Sequence, residues 1–309
     1  MSQQESIMIE MENGVHDISN EMYHASSGVS RSGLMELKRS PYHYWYRYMN
    51  PECEIERPTP AMKLGELVHA MVLEPKYFEE RYVIPPELHQ VPKVELLKDL
   101  QARLGKDEGR LEYDMQKSYK EHIIELNDQV IAVFESTTKD KEIISLSNYE
   151  ESNKISNAVW SNEIANDLFL DIHAEKSIYF THEPTGLQVK VRPDAWNGAI
   201  VTDLKTCLDA TFRAFQRAAF SSGYFLQAAM IKMALKSLGI HMERFIFFCV
   251  EKKAPFPSVY YVLDDEAINY GVKQFNSLMD SFAKCLEDNN WPGYESQFLS
   301  IPNYAQYED

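Results

Sequence analysis

The chain has 309 residues and a formal net charge of −16, because 47 acidic residues outnumber 31 basic ones. Hydrophobic residues make up 44% of the composition and aromatic residues 12%, which is enough to bury a sizeable core and excludes an intrinsically disordered chain. The acidic balance disfavours nonspecific binding of polyanions through the average field of the protein, but it does not exclude a local basic groove.

The four cysteines are far apart in the sequence and show no CxxC spacing: Cys53, Cys207, Cys249 and Cys285. They indicate free thiols in a reducing compartment rather than a disulfide framework or a zinc site. The first residues show no signal-peptide pattern, and no stretch reaches the ~18 apolar residues of a membrane span. We therefore expect a soluble, cytoplasmic protein.

Helical patterns dominate the first half of the chain. A short helix is expected to start near Ser30, which can cap it, and to stop before Pro41, where an aromatic run follows. Apolar residues at 64, 67, 68, 71 and 72 predict a helix over 61–75 that Pro75 ends. Residues 88–142, rich in lysine and glutamate, predict one or two exposed helices, and 145–169 predict an amphipathic helix and its continuation.

Strand patterns begin near residue 174. Residues 175–206 alternate at period two and predict a three-strand meander with turns at 183–186 and at Asn197-Gly198. A helix over 210–239, two strands within 244–265 and a final helix over 264–288 complete the pattern. This order predicts one α/β domain over 1–309, with a helical insertion at about 88–142 and a short C-terminal tail from about 289.

The segment VTDLKT, at 201–206, places an aspartate and a lysine on one face of an otherwise apolar strand. With Asn197-Gly198 as a two-residue type I′ turn, Asp194 of the preceding strand projects from the same face as Asp203 and Lys205. The two carboxylates are then diagonal neighbours, about 7 Å apart at the backbone. The sequence therefore predicts a cluster of charged side chains on one side of this hairpin.

Two carboxylates at this separation can converge on one divalent cation, and hard oxygen ligands suit Mg²⁺ or Mn²⁺. Lys205 can orient or help deprotonate a water there, or stabilise charge on a phosphate. Glu175, at the start of the preceding strand, is another candidate ligand. The alternative is an ordinary ion pair on a half-exposed strand. Because the face is interpreted as a site and not as core, we expect removal of Asp203 or Lys205 to leave folding nearly intact.

Four blocks in this order resemble the PD-(D/E)XK nucleases: KLGELVHAMVLEP, VRPDAW, VTDLKT and SSGYFLQAAMI. Within that superfamily the sequence is similar to the RecE-type exonucleases (exonuclease VIII) of phages and prophages, in the RecB-like branch. The resemblance covers about residues 15–265. It implies an α/β fold with a restriction-endonuclease-like core, in which a central mixed sheet is flanked by helices.

The resemblance also implies roles for single residues. His69 corresponds to a metal-binding histidine, although without the resemblance a lone histidine in an apolar helix is interpreted as a core residue. Asp194 and Asp203 would be metal-ligating carboxylates, and Lys205 the catalytic lysine. The backbone carbonyl of Leu204 would complete the metal shell.

Two further motifs match the RecB-like branch. Gln227, with Tyr224 one helical turn earlier, matches the glutamine-containing helix beside the active site; packing of a helix onto the sheet is the alternative. In the opening motif, relatives can carry an iron–sulfur cysteine where this chain has Ser40, so we expect no iron–sulfur cluster.

Basic residues near the expected site are the candidates for DNA contacts: Arg31, Lys38, Arg39, Lys190, Arg192, Arg213 and Arg217.

The resemblance implies a Mg²⁺-dependent deoxyribonuclease, with Mn²⁺ able to substitute. It would degrade one strand of linear double-stranded DNA 5′→3′ and leave a 3′ single strand for recombination by an annealing protein of RecT type. It also implies a toroidal homo-oligomer, with a tetramer favoured. Three alternatives stay open: a RecB/Cas4-like nuclease acting on single-stranded DNA ends, a non-catalytic DNA-binding protein of the same fold, and an unrelated metal protein.

Overall fold

The computed structural model describes residues 9–53 and 58–299. The described chain divides into two compact units. The first unit contains the described residues up to Gly65 and from Ile155 onward, and the second unit contains Glu66–Lys154. The single-domain arrangement, with its insertion at about 88–142 and its tail from about 289, stays a prediction, and residues 300–309 of that tail lie outside the described residues. None of the described helices is long and apolar enough to cross a membrane.

The helices that lie wholly or partly in the first unit are as follows: α1 (Asn20–Ala25), α2 (Arg31–Arg39), α3 (Pro41–Tyr48), α4 (Pro60–Leu73), α8 (Leu146–Trp160), α9 (Ala165–Phe169), α10 (Phe212–Ser221), α11 (Tyr224–Ser237) and α12 (Asp265–Asp288). The helices of the second unit are α5 (Pro75–Arg81), α6 (Leu97–Leu104) and α7 (Lys106–Thr137). Both α4 and α8 continue across the boundary between the units.

Serine caps and prolines set the first helix boundaries, as the sequence predicts. The Ser30 hydroxyl accepts a hydrogen bond from Gly33 N at 3.2 Å and starts α2. Ser40 ends that helix, and its hydroxyl accepts from His43 N at 3.3 Å to start α3, with Pro41 at its first position. Pro75 likewise separates α4 from α5.

The first unit contains two sheets. Strands β1 (Gly14–His16), β5 (Ser177–His182) and β6 (Leu187–Val191) form a three-stranded antiparallel sheet in the order β1-β5-β6. A mixed five-stranded sheet has the order β10-β9-β8-β7-β4, with β4 (His173–Ala174), β7 (Ala195–Asn197), β8 (Ile200–Cys207), β9 (Arg244–Glu251) and β10 (Ser258–Val262). Only the β8–β9 pair of this sheet is parallel.

The predicted three-strand meander is wrong, because its strands belong to different sheets. The first hairpin forms as expected between β5 and β6. The chain then leaves that sheet at 192–194, where Pro193 has no N–H to continue the ladder, and β7 pairs with β8 in the larger sheet.

The second predicted turn lies one residue too early. Asn197 pairs with Ile200, so Gly198 and Ala199 are the central turn residues. Gly198 has a φ of +56°, and glycine at the first central position is the preference of type II′ turns. The strand register shifts by two residues, and an even shift leaves every side chain on its predicted face.

The parallel pairing of β8 and β9 requires a crossover connection, which α10 and α11 supply. Apolar residues of α11 are buried against the sheet, and the buried face of α12 packs in the same core cluster. Strand β9 contributes three fully buried phenylalanines: Phe245, Phe247 and Phe248. The core of the first unit therefore holds α11, the second helix of the crossover, against the sheet.

The second unit has a small core of its own, made by Leu67, Ala70, Tyr82 and Ile144. Two short strands, β2 (Tyr82–Val83) and β3 (Glu142–Ile143), pair in parallel there. Helices α6 and α7 confirm the expectation of one or two largely exposed helices in this part of the chain.

Candidate active site

Strands β7 and β8 bring the two predicted aspartates together. Continuing the β7–β8 register by one residue sets Asp194 directly opposite Asp203, closer than the diagonal arrangement that the sequence predicted. Asp194 Oδ2 accepts a hydrogen bond from Leu204 N at 2.8 Å, and both side chains are buried. The backbone of β8 therefore fixes the orientation of the neighbouring carboxylate, an interaction that leaves no signal in the sequence.

Gln227, on α11, connects Asp203 to Lys205. Its side-chain amide donates to Asp203 Oδ1 at 2.5 Å, and its carbonyl oxygen lies 3.5 Å from Lys205 Nζ. Lys205 Nζ in turn lies 2.5 Å from Asp203 Oδ2 and 4.8 Å from the centre of the Tyr224 ring. The structure thus brings all four of these predicted residues together, and it gives Gln227 the role of holding the other two.

The electrostatics of this group keep Lys205 charged. Burial disfavours its ammonium form, but the carboxylates of Asp203 and Asp194 outweigh that effect, so the pKa of Lys205 is raised. Asp203 is fully buried, and removing it would leave the ammonium with less compensation. A broken buried ion pair costs several kcal/mol, so the structure does not support the expectation that Asp203→Ala would fold nearly as well as the parent.

The carboxylates fit a hard divalent cation. Glu175 and Asp194 offer oxygen atoms within 4.8 Å of each other. Asp203 is fully buried beside them, with its Oδ2 in the ion pair with Lys205 Nζ. Oxygen donors of this kind are the ligands that Mg²⁺ and Mn²⁺ prefer.

Glu175 reaches this position through an unusual backbone conformation. It lies in the link between β4 and β5, not at the first position of a strand, and its φ is +49°. Its N–H donates to the carbonyl of Asp194 at 3.1 Å. A left-handed φ is costly for a residue with a side chain and is concentrated at functional sites, which is consistent with a ligand role for this carboxylate.

The predicted ligand His69 lies on α4, one helical turn beyond Gly65. A Cβ atom on Gly65 would lie 3.2 Å from Thr206 Oγ1, the residue after Lys205 on β8, so a larger side chain would crowd this contact. His69 itself belongs to the second unit, and its role stays a prediction.

The basic candidates divide into an exposed group and a group used by the protein itself. Lys38 and Arg39 at the end of α2 and Arg213 and Arg217 on α10 are exposed. Lys38 Nζ lies 5.9 Å from the ring centre of Phe220, which connects the two helices into one surface. Arg39 also forms an ion pair with the neighbouring glutamate of α2.

Lys190 and Arg192 instead hold the N-terminal segment. Lys190 is buried and donates to the carbonyls of Tyr23 and Ser26 at 2.8 and 2.6 Å. Arg192 donates to the carbonyl of Ile18 at 2.7 Å and to the hydroxyl of Ser177 at 2.8 Å. Local sequence could not reveal these partners, because most of them are more than 150 residues away. The structure does not bring these two cations to the exposed surface that the other candidates share.

A cavity of about 470 Å³ lies beside Gln227 and is lined in part by Arg31, Ser30 and Tyr44. The Arg31 guanidinium donates to the carbonyl of Ser222, while its Nε is buried without a partner among the described residues. Burial lowers the pKa of Arg31, and the nearby Asp203 opposes that shift. The cavity therefore contains a guanidinium with an unused donor close to the carboxylates.

The comparisons with known proteins agree with this fold. A family model described as a PDDEXK-like domain of unknown function (DUF3799) matches residues 30–299. The chain is also similar to the crystal structure of a protein from Eubacterium rectale that is provisionally named an exonuclease. The two share 12% sequence identity and a TM-score of 0.54, over 95% of this chain and 94% of that chain, so this likeness shows the fold alone. No curated protein sequence matches the chain.

Because the family match covers residues 30–299, which is most of the sequence, this chain belongs to the family of PDDEXK-like domains.

Proposed function

We propose that this protein is a metal-dependent DNA exonuclease that degrades one strand of linear double-stranded DNA from the 5′ end. The observation that carries the proposal is the convergence of Asp194, Asp203 and Lys205 on one buried strand pair, next to the Glu175 carboxylate. The likeness to the RecE type, with a 3′ single-stranded product for recombination by a RecT-type annealing protein, is part of the same proposal.

Each residue of the group has a distinct role in the proposed reaction. Glu175, Asp194 and Asp203 hold the cation, and His69 and the carbonyl of Leu204 are proposed as further ligands. When bound by these residues, a Mg²⁺ ion would supply Lewis-acid chemistry, which would favour ionisation of water and stabilise charge on a phosphate.

Lys205 acts in this proposal as a charged donor rather than as a base. Its raised pKa favours the ammonium, which can orient the attacking water or stabilise negative charge developing on the phosphate. Gln227 keeps the ammonium in place, and the ring of Tyr224 covers it. Arg31 lines the neighbouring cavity, where its guanidinium is proposed to contact a phosphate.

DNA is proposed to lie along the exposed cations of α2 and α10. A protein with a net charge of −16 needs such a local track, because its average field repels a polyanion. Acidic surface elsewhere favours threading of a DNA end over side-on binding. A closed homo-oligomer, with a tetramer favoured, would surround the duplex and concentrate the cations around it.

Cation binding tests the carboxylate site directly. We expect Asp194→Asn to weaken Mn²⁺ binding by about tenfold or more, because ligand charge sets the affinity for hard cations. Isothermal titration of the purified protein with Mn²⁺ measures this effect. Asp280→Asn, which changes an exposed carboxylate on α12, is the matched control and should bind Mn²⁺ like the parent. Equal affinities for all three proteins would remove Asp194 from the ligand set.

Cleavage of end-labelled DNA tests the catalytic assignment. We expect Asp203→Asn and Lys205→Ala to lower the rate by at least about 10³-fold, in the range seen when a preorganised electrostatic group is removed. Asp203→Asn is preferred to alanine because asparagine can still accept the hydrogen bond from Gln227. Duplexes labelled separately at the 5′ and 3′ ends, with Mg²⁺ present, give both the rate and the polarity.

The matched controls are Asp280→Asn and Lys284→Ala, which change an exposed acid and an exposed base one turn apart on α12. Near-parent activity in either active-site variant would disprove the assignment. Preferential loss of label from single-stranded substrates would favour the RecB/Cas4-like alternative, and binding without cleavage would favour the non-catalytic one.

Salt dependence tests the DNA track. We expect Arg213→Ala combined with Arg217→Ala to reduce the slope of log affinity against log salt by about 1 for each phosphate that the protein no longer neutralises. Duplex binding in Ca²⁺, which replaces the catalytic ion, measures the slope. Lys273→Ala combined with Lys284→Ala, which removes two exposed cations of α12, is the control and should keep the parent slope. An unchanged slope in the α10 variant would place the DNA elsewhere.

Substrate topology tests the closed oligomer. A ring admits DNA only at an end, so we expect a linearised plasmid to be degraded and the same plasmid to resist when covalently closed. Light scattering should give the mass of a closed assembly. A monomer that nicks closed circles as fast as it degrades linear DNA would contradict the ring and indicate an endonuclease.

A further inference from the structure

Strand β10 forms one edge of the five-stranded sheet, because no other strand of the described chain pairs with its outer side. On its inner side, Leu263 N donates to the carbonyl of Phe245 at 2.9 Å. At the other end of the strand, Glu251 N donates to the carbonyl of Pro257 at 3.0 Å. Residues alternate in direction along an antiparallel ladder, so the odd-numbered residues of 257–263 face β9. The backbone N–H and C=O groups that point outward therefore belong to Ser258, Tyr260 and Val262.

The outer side of β10 lacks the features that normally keep an edge strand from pairing with another chain. Natural proteins protect such edges with charged side chains, prolines or bulges. The strand has the sequence SVYYV, which contains neither a charge nor a proline. Its register with β9 is continuous, so it contains no bulge. An unprotected edge of this kind is a template for a further strand.

Apolar side chains lie on both faces of the sheet at this edge. On one face, Tyr260 and Val262 have exposed fractions of 44% and 49%. On the other face, the ring of Tyr261 lies 5.8 Å from the ring of Phe212 on α10, measured between centres, and Phe212 is 63% exposed. A strand that is apolar on both faces can cover these side chains, and β10 is itself such a strand.

The two ends of β10 carry opposite charges. Lys252 and Lys253 lie in the connection between β9 and β10, next to the start of the strand. Asp265 and Glu266 lie in the first turn of α12, which begins shortly after the strand ends. Lys253 and both acidic residues are exposed. An antiparallel copy of the strand would bring its acidic end to the basic end of the first copy, whereas a parallel copy would place like charges together.

We propose that β10 pairs antiparallel with β10 of a second copy of this chain, about a twofold axis at Tyr260. Such an axis brings one edge against itself, as in isologous dimers. Tyr260 then exchanges backbone hydrogen bonds with Tyr260 of the other copy, and Ser258 does so with Val262 of the other copy. The outward-facing groups of the two strands form about six hydrogen bonds in this register. The two five-stranded sheets thereby become one continuous sheet.

The charges at the strand ends favour a second copy over other occupants. A nucleic acid would meet no cation along β10 and two acidic side chains beyond its end. An unrelated peptide could form the backbone hydrogen bonds, but it would not account for charges of opposite sign at the two ends of an uncharged strand. The same strand, turned about a twofold axis, supplies the backbone groups, the apolar side chains and the complementary charges together.

The pairing has a consequence for assembly size. An isologous contact joins copies in twos, so it doubles whatever assembly the other contacts of the chain produce. The number of copies is therefore even, and disruption of the β10 interface halves it. This consequence is independent of DNA cleavage, so the interface can fail while the proposed nuclease activity stands.

Substitution on the axis is the primary test. Tyr260→Lys places two ammonium groups next to each other, and we expect light scattering at micromolar concentration to give half the parent mass. The matched control is Val15→Lys, which changes an equally exposed residue (46%) of β1, an edge strand of the smaller sheet, and should keep the parent mass. Circular dichroism shows whether both variants stay folded. A monomeric parent, an odd number of copies or an unchanged mass for Tyr260→Lys would overturn the proposal.

Charge exchange tests whether the two strand ends meet. Lys252→Glu combined with Lys253→Glu makes both ends acidic, and Asp265→Lys combined with Glu266→Lys places lysines at both ends. We expect each double variant alone to shift toward half the parent mass. An equimolar mixture of the two should regain the full mass, because every acidic end then meets a basic one, and this recovery also shows that both variants are folded. Failure of the mixture to recover would contradict the proposed contact.

Cross-linking tests the direction and the register of the two strands. Tyr260→Cys places two thiols on the axis, with Cα atoms about 5.5 Å apart, which suits a disulfide. Val262→Cys is the matched control in the same strand, because its two copies would lie more than about 13 Å apart. Under mild oxidation the first variant should form an intermolecular disulfide and the second should not, with the parent giving the background from the native cysteines. Equal cross-linking at both positions, or none at Tyr260→Cys, would show that the copies do not meet in this way.

Discussion

Charge compensation inside a buried strand is the constraint on which the rest of this structure depends. Strand β8 places Asp203 among fully buried residues, and Asp194 lies opposite it. Neither carboxylate is tolerable there without partners, because desolvation of a charge costs several kcal/mol. Lys205, Gln227 and the backbone N–H of Leu204 provide those partners. The cluster thus combines buried carboxylates with a lysine ammonium and a side-chain amide, which hold one another in place.

The topology of the larger sheet explains how distant residues meet at this cluster. Because β8 and β9 are parallel, the chain must return to the starting edge of the sheet before β9 begins. Helices α10 and α11 form this crossover connection. The first turn of α11 therefore lies above the polar face of β8 and presents Tyr224 and Gln227 to it. The same crossover exposes the cations of α10 to solvent. One connection thus contributes both to the buried cluster and to the basic surface.

Short sequence patterns predicted the features that depend on neighbouring residues, namely helix boundaries and the faces of strands. Serine caps and prolines gave the boundaries of α2 and α3, and strand periodicity gave the shared face of Asp203 and Lys205. The turn was predicted one residue too early because Gly198 can occupy either central position of a two-residue hairpin turn. The dipeptide pattern alone does not distinguish the two strand registers. Three features could not be predicted because they depend on tertiary contacts. They are the division of the strands into two sheets, the left-handed backbone conformation of Glu175 and the hydrogen-bond partners of Arg192. Resemblance to a known family, not periodicity, suggested Gln227.

The contacts of Lys190 and Arg192 attach the N-terminal segment to the small sheet. These two side chains bind carbonyls between Ile18 and Ser26, and Asp194 follows Arg192 by only two positions. Strand β1 adds a second attachment of the same segment to β5. A shortened protein that begins after Ser26 would lack β1, which is an edge strand of the small sheet. The ammonium of Lys190 would also lose the two backbone carbonyls to which it donates. For recombinant work, the segment from Ile9 onward should be kept, because it is part of the fold of the first unit.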